Sequence, residues 1–225
     1  MDPSTRNIYA IGDLHIGNKN YQAAQLKKTL KKIDGDIIGM GDFCEFINEK
    51  SFKYDTQTMS PKKQFKEFKR LFKPFAEEGR ILAMVKGNHE DRYFNKIDGL
   101  EDWCENYEIP YNGRHILIDV NDVVIYAHHP KTSATTAAGR DRVFKKMRDV
   151  QDADIYLSGH FHSLYNDLSY KYNRKRVLEQ TLFACTGSFL AYKDSYAEEK
   201  LYTPNPVGCI KITIDDEKIM LEEFK

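Results

Sequence analysis

Five short blocks along the chain place aspartate, asparagine or histidine directly after an apolar run and a glycine or other small residue. In chain order, the blocks are GDLHIG, GDFCEF, GNHED, AHHP and GHFH. The side chains that they contribute are Asp13, His15, Asp42, Asn88, His89, His128, His129, His160 and His162. Carboxylate, amide and imidazole groups together suit divalent transition metals, so the blocks predict metal chemistry.

These ligands are numerous enough for a pair of ions. A pair about 3.5–4 Å apart needs oxygen and nitrogen ligands on both sides and one carboxylate that bridges the two. Asp13 and His15 can serve the first ion and Asn88 and His128 the second, while Asp42 can serve both.

The stretch YLSGHFHSLYND separates His160 and His162 by a single residue. On an extended segment, such residues point to the same side, so the two imidazoles can grip one ion or take one ion each. Alone, the pair could equally be two surface histidines in a turn. The other four blocks favour the metal role, with a different ion for each histidine.

Short apolar runs predict the strands that must position these residues. The runs are NIYAI, DIIGM, ILAMV, VVIYA, DIYL, TLFAC and CIKITI. Helical spacing of apolar residues predicts helices in YQAAQLKKTLKKI, SPKKQFKEFKRLFKPFAEEG and GRDRVFKKMRDV. The alternation of strand and helix at the start predicts a parallel sheet, and the carboxyl ends of parallel strands meet along one edge.

The later part of the chain predicts antiparallel pairing. HILIDVNDVVIYAH indicates a hairpin about Asn121 and Asp122, and CIKITIDDEKIMLEEF indicates another about Asp216 and Glu217. We therefore predict a mixed α/β fold. Since no linker or repeat interrupts the sequence, we expect residues 1–225 to form a single domain.

Composition limits the classes of partner. The chain has 34 Lys and Arg against 34 Asp and Glu, which gives none of the overall basic character of a dedicated nucleic-acid binder. Its four cysteines show no C-x-x-C spacing and are compatible with reduced thiols, so we expect a cytoplasmic protein. No apolar run approaches the length of a membrane span, and the sequence leaves the oligomeric state open.

The ordered set D-x-H, G-D-x-x-E, G-N-H-E, H and G-H-x-H resembles the calcineurin-like metallophosphoesterases and spans Asp13 to His162. The resemblance implies a four-layer α-β-β-α sandwich, in which two mixed β-sheets pack face to face with helices outside. It also implies a dinuclear metal site between the loops.

The resemblance also assigns residues. It implies Asp13, His15, Asp42 and His162 on one ion. It implies Asp42, Asn88, His128 and His160 on the other. His89 would be the catalytic histidine beside the phosphate. The block AHHP offers His128 or His129, and we choose His128 because it directly follows the predicted strand. Glu45 is interpreted as support for a ligand, and Glu90 receives no functional role.

The predicted function is hydrolysis of phosphodiesters, and of monoesters as a further substrate class. A water that bridges two ions loses a proton near neutral pH and attacks phosphorus in line, while His89 protonates the leaving oxygen or stabilises charge on the phosphoryl group. We expect two divalent ions, manganese or iron more than zinc, cobalt or nickel.

Two alternatives stay open. A DNA nuclease of the same fold could use the stretch YKYNRKR, residues 170–176, which interleaves tyrosines with Lys171, Arg174, Lys175 and Arg176. The neutral composition favours a solvated hairpin face there, and residues 43–64 could wall a pocket for a small ester. A scaffold without catalysis is disfavoured, because it predicts broken ligand positions and none is broken.

Overall fold

Two β-sheets lie face to face in the computed structural model, which describes residues 5–47, 54–93, 98–216 and 218–225. The first sheet has the spatial order β11 (Ile219–Phe224), β10 (Cys209–Ile214), β1 (Arg6–Ile11), β2 (Asp36–Gly39), β3 (Ile81–Val85) and β4 (Tyr111–Asn112). The second has the order β5 (His115–Val120), β6 (Val123–His128), β7 (Ile155–Ser158), β9 (Leu178–Thr186) and β8 (Leu164–Tyr172).

Six α-helices connect or cover these strands in the described ranges. They are α1 (Ala23–Lys32), α2 (Pro61–Glu77), α3 (Asn88–Tyr93), α4 (Gly99–Glu105), α5 (Ala137–Val150) and α6 (Tyr196–Glu199). The helix α2 begins after Ser60, and it continues through Pro74 to end before Gly79, whose φ is +66°. None of the helices in the described part of the chain is long and apolar enough to cross a membrane.

Both sheets are mixed, as the sequence predicted. The strands β1, β2, β3 and β4 run parallel in the first sheet, and β6, β7 and β9 run parallel in the second. The hairpins β5–β6, β8–β9 and β10–β11 are antiparallel. The predicted turn at Asn121 and Asp122 has positive φ at both residues, the geometry of a type I′ hairpin. Of the second predicted turn, Glu217 lies outside the described residues.

Alternation along each strand separates the apolar side chains into three layers of core. In β1, Ile8 and Ala10 face the opposite sheet, whereas Tyr9 and Ile11 face the helices that cover the first sheet. The phenylalanines of α2 fill that outer layer, with Phe68 and Phe72 fully buried. The helix α5 covers the outer face of the second sheet. The predicted four-layer α-β-β-α sandwich is confirmed.

Candidate metal centre

The loops that follow β1 and β2 are tied together by their backbones. The N–H groups of Asp13 and His15 donate to the carbonyl oxygens of Gly41 and Asp42, at 2.8 and 3.1 Å. These loops follow neighbouring parallel strands, which is why their blocks arrive at the same edge of the sheet. The arrangement brings the first two blocks of the sequence into direct contact.

Acidic side chains then attach the blocks GNHED and GHFH. Oδ2 of Asp13 accepts the backbone N–H of His160 at 2.9 Å, which joins the first sheet to the loop after β7. Oδ1 of Asp42 accepts the backbone N–H of His89 at 2.8 Å, which joins β2 to the start of α3. The loops of both sheets therefore surround one small volume.

Three overlapping groups of side chains within this volume have ligand atoms close enough to share an ion, with all atoms of a group within 4.8 Å of one another. The groups are Asp13, His15 and His162; His15, Asp42 and His89; and Asp42, His129 and His160. Asp42 belongs to two groups, as a bridging carboxylate requires, and His160 and His162 belong to different ones. Nε2 of His162 lies 3.0 Å from Nε2 of His15 and 3.2 Å from Oδ1 of Asp13.

Several residues of the site have a left-handed backbone conformation, which residues other than glycine rarely adopt. Five residues of the centre have a positive φ, between 47° and 75°: Asp13, His15, Asp42, His160 and His162. Left-handed backbone costs a non-glycine residue roughly 1–3 kcal/mol and persists only where surrounding contacts enforce it. The concentration of this strain in the ligand loops is typical of a functional site.

Glu45 supports two imidazoles at once. Its carboxylate Oε2 accepts a hydrogen bond from Nδ1 of His15 at 2.9 Å, and its backbone oxygen accepts one from Nδ1 of His89 at 2.6 Å. Burial opposes ionisation of Glu45, but the bond to His15 prevails and lowers its pKa to about 2. With the tautomers assigned from these bonds, Nε2 of both histidines is left for the site.

Backbone carbonyls anchor two further imidazoles in the same manner. Nδ1 of His129 donates to the carbonyl oxygen of Met40 at 2.6 Å, and Nε2 of His160 donates to that of Thr132 at 2.7 Å. The free nitrogen is therefore Nε2 in His129 and Nδ1 in His160. A metal-bound histidine usually has its second nitrogen fixed in this way.

Several buried atoms at the centre have no hydrogen-bond partner among the described residues. Those at the ligand positions are Asp13 Oδ1, Asn88 Oδ1, His129 Nε2 and His160 Nδ1. Buried polar atoms without a partner are rare in folded proteins, because each has lost its contact with water. The oxygen and nitrogen donors present here fit divalent transition metals, whose binding would satisfy these atoms.

The structure brings His129, and not His128, to the centre. Nε2 of His129 lies 3.4 Å from Oδ2 of Asp42, and the ring is fully buried. His128 points to the other face of β6, where its ring stacks on Tyr126 and packs against His115. Adjacent residues of a strand face opposite ways, so the side facing the first sheet belongs to Ile125, Ala127 and then His129. We therefore replace His128 by His129 in the ligand set.

Burial and neighbouring imidazoles have opposite effects on the pKa values of the Asp13 and Asp42 carboxyl groups. Burial raises the pKa of Asp42, but His129 and His89 outweigh it and hold that pKa well below its usual range. For Asp13, His162 overcomes burial in the same way and lowers the pKa. Both side chains are thus ionised, which is the form that binds metal ions.

His89 lies at the edge of this group of ligands. Its ring packs edge-to-face on His15, with centroids 4.5 Å apart, and its Nε2 is 3.9 Å from Oδ2 of Asp42. Burial is the main cause that lowers its pKa to about 4. The side chain keeps 12% of its surface exposed, so it is accessible from the mouth of the centre.

Glu90 holds the loops of the centre and was missed as a functional residue by the sequence analysis. Its carboxylate accepts four backbone N–H groups, from Asp42, Phe43, Cys44 and Gly87, at 2.8–3.2 Å. A glutamate three residues after the residue that caps a helix often bonds back to the cap, and G-N-H-E has that spacing. This signal could have identified Glu90.

The four cysteines are free and buried, and none belongs to the three ligand groups. Burial is the main cause that raises the pKa of Cys185 to about 12. The three ligand groups therefore contain only nitrogen and oxygen donors.

Comparison with known proteins agrees with this geometry. The family model described as calcineurin-like phosphoesterase matches residues 6–164, which is more than half of the chain. The chain belongs to the calcineurin-like phosphoesterase family. The matched region includes the five sequence blocks and the three ligand groups. No curated protein matches the sequence.

Solved structures with similar folds include three with low sequence identity. A conserved uncharacterised protein of Streptococcus pneumoniae TIGR4, described as a predicted phosphoesterase, is 15% identical, with a TM-score of 0.47 and coverage of 97% of this chain and 88% of that one. Vacuolar protein sorting 29 of Cryptosporidium parvum is 15% identical, with a TM-score of 0.49 and 98% of both chains covered. An archaeal phosphodiesterase is 13% identical, with a TM-score of 0.48 and coverage of 96% and 99%. The family assignment rests on the match of residues 6–164.

Proposed function

We propose that the chain is a metal-dependent phosphodiesterase with two divalent ions at the centre described above. The observation that carries the proposal is the set of buried ligand atoms that lack a hydrogen-bond partner among the described residues and that converge from the loops of both sheets. The proposed ligands of one ion are Asp13, His15, Asp42 and His162. Those of the other are Asp42, Asn88, His129 and His160. Manganese or iron is our first choice of metal, ahead of zinc, cobalt and nickel.

When bound, such ions activate a water for in-line attack on phosphorus and neutralise the phosphate oxygens. The protein's own contribution is to fix the ligands and to direct one ring nitrogen of each histidine into the centre. Glu45 and the carbonyls of Met40 and Thr132 hold the rings in the tautomers that this requires.

His89 is the proposed catalytic residue. Its Nδ1 is engaged with the carbonyl oxygen of Glu45, so only Nε2 can act on a substrate. An anionic phosphate beside Nε2 favours the protonated ring, which can then give its proton to the leaving oxygen. The neighbouring Asn88 takes the ligand position, which leaves His89 for this role.

The position of the basic stretch favours small esters over long DNA. Residues 170–176 form the tip of the hairpin made by β8 and β9, and β8 begins at Leu164, two residues after His162. A strand of this length extends roughly 27 Å, so the cations of the tip lie far from the ligands. Of the predicted pocket wall at residues 43–64, residues 48–53 lie outside the described ranges.

The experiment that tests the function combines metal analysis with a phosphoester panel. Purified protein is depleted of metal, reloaded with manganese, iron or zinc, and assayed on bis(p-nitrophenyl) phosphate, p-nitrophenyl phosphate and a long DNA. We expect two ions per chain and fastest turnover of the diester. Tight binding of metal without hydrolysis of any ester would instead favour the scaffold alternative.

A further inference from the structure

Exposed apolar side chains are concentrated on one hairpin, far from the metal centre. The described residues include ten large hydrophobic side chains that are exposed, and five of them lie within residues 168–178. They are Leu168 at 44%, Tyr170 at 58%, Tyr172 at 72%, Val177 at 56% and Leu178 at 53% exposure. Scattered exposed residues need no explanation, but a contiguous group of this kind marks an interaction site.

Four of these side chains share one face of the hairpin. In the register of β8 and β9, Leu168 lies opposite Leu182 and Tyr172 opposite Leu178, and directly opposed residues point to the same side. Leu182 is only 6% exposed and belongs to the core between the sheets. The apolar face thus continues the inner face of the second sheet beyond the point where the first sheet covers it. We call Leu168, Tyr170, Tyr172 and Leu178 the hairpin stripe.

The turn beside the hairpin stripe is built by Asn173. Its Oδ1 accepts the backbone N–H groups of Lys175 and Val177, at 2.8 and 3.0 Å, and its backbone N–H donates to the carbonyl of Val177. Its Nδ2 donates to Glu179 at 2.8 Å. The turn therefore holds its side chains in a defined arrangement.

Three cations at this turn form no ion pair with any residue that the structure describes: Arg174, Lys175 and Arg176. The fourth cation of the stretch, Lys171, faces the other side of β8 and lies 3.7 Å from Glu179. An apolar stripe that ends in unpaired cations is complementary to a ligand whose apolar groups are followed by acidic ones.

We propose that the hairpin stripe binds an extended segment of a partner protein, in which apolar side chains cover the stripe and acidic side chains pair with the turn. Single-stranded nucleic acid fits less well, since the two leucines of the stripe offer no ring for stacking and the unpaired cations occupy only one end. A second copy of the chain offers the same apolar chemistry but brings cations, not acids, in its own turn.

The placement of the stripe separates this binding from catalysis. The loop that carries His160 and His162 follows the carboxyl end of β7, which runs parallel to β9. The hairpin tip is at the amino end of β9, and thus at the opposite end of the sheet. A segment on the stripe would leave the mouth of the centre open. The proposal therefore does not depend on the proposed hydrolysis.

The test is selection of peptides of about twelve residues from a random displayed library on the full-length protein. We expect enrichment of peptides that combine leucine or aromatic residues with aspartate or glutamate. The best peptide, labelled with a fluorophore, is then titrated against variants. Y172S/L178S and R174Q/K175Q/R176Q should each weaken binding roughly tenfold or more, as substitutions at the centre of an interface do.

The matched control is Leu117→Ser. Leu117 is 48% exposed and lies on β5, the opposite edge strand of the same sheet, so its loss should leave peptide binding unchanged. All variants should keep wild-type turnover of bis(p-nitrophenyl) phosphate and wild-type thermal unfolding.

Three results would overturn the proposal. The first is that no peptide is enriched, or that enriched peptides bind Y172S/L178S as they bind the wild type. The second is binding of a labelled oligothymidine that both sets of substitutions abolish, which would assign the stripe to nucleic acid. The third is a dimer in sedimentation equilibrium that Y172S/L178S dissociates, which would assign it to a second copy.

Discussion

Nε2 of His129 faces Oδ2 of Asp42 at 3.4 Å, whereas the ring of its neighbour His128 lies on the opposite face of β6 against Tyr126. The two histidines therefore differ in what their loss should do. We expect His129→Ala to lose bound metal and to lower turnover roughly 100-fold or more, since even residues that only orient metal ligands contribute 10- to 100-fold. Metal content and hydrolysis of bis(p-nitrophenyl) phosphate measure both effects. His128→Ala is the control, and a larger loss in that variant would return the ligand position to His128.

Asp42 is the carboxylate shared by two of the ligand groups. We expect Asp42→Asn to reduce the occupancy of both ions and the turnover. The amide has one neutral oxygen that can bind a metal ion, whereas the carboxylate has two oxygens that share a negative charge. Elemental analysis after equilibration with manganese gives the occupancy. Near-normal activity with two bound ions would contradict the dinuclear assignment.

His89 should act on the substrate without being needed for metal. His89→Ala is expected to retain its ions and to lose roughly 10²–10⁴-fold in turnover, the contribution of a general acid. The loss should become smaller for esters with more acidic leaving groups, since these need less protonation. A series of substituted phenyl esters tests this, and equal losses across the series would argue against proton donation.

Glu90 should matter for folding as much as for activity. Glu90→Ala removes the acceptor of four backbone N–H groups, and each buried donor left unpaired costs about 1–3 kcal/mol. We expect the free energy of unfolding, measured by urea denaturation of metal-free protein, to fall by at least about 2 kcal/mol. Glu105→Ala, at an exposed position in α4, should change it by no more than about 0.5 kcal/mol.

Salt dependence separates a small-ester enzyme from a nuclease. Because few charges of a small diester contact the protein, hydrolysis should change little with salt, whereas a protein that holds several phosphates loses affinity steeply. Neutralising Lys171, Arg174, Lys175 and Arg176 together should leave hydrolysis of the small ester unchanged. Efficient DNA cleavage that this variant alone abolishes would favour the nuclease.

The strand ends could be read from the sequence because buried strands are short apolar runs with a clear boundary. Asp13, His15 and Asp42 follow such runs in parallel strands. Because the carboxyl ends of parallel strands lie along one edge of a sheet, their proximity could be predicted from the sequence. The choice of His128, made because it directly follows the strand, was wrong. The face of the sheet to which the side chain points decides which histidine reaches the centre, and His128 points away from it. His128 and His129 are the same residue type at adjacent positions. They differ only in the face of the sheet to which each side chain points, and the sequence does not show which face that is.

Other features depend on contacts that no local pattern contains. The strand β8 was not predicted, because LYNDLSYKY is mostly polar and its burial ends after the first residues. Its pairing with β9 is what makes it a strand. Glu90 also accepts the N–H groups of Asp42, Phe43 and Cys44 in the loop after β2, and these three partners and its burial could not be seen in the sequence beside it.

The central place of β1 has a consequence for how the protein is made. This strand pairs with β2 on one side and with β10 on the other, so that Arg6 lies opposite Ile214 and Ala10 opposite Ile210. During synthesis, the segment that leads to Asp13 and His15 emerges some two hundred residues before β10, so one of its edges stays unpaired over that interval. Such distant pairing is slow to form, and an unpaired edge can associate with other chains meanwhile. We therefore expect the nascent chain to be most prone to association with other chains before β10 has left the ribosome.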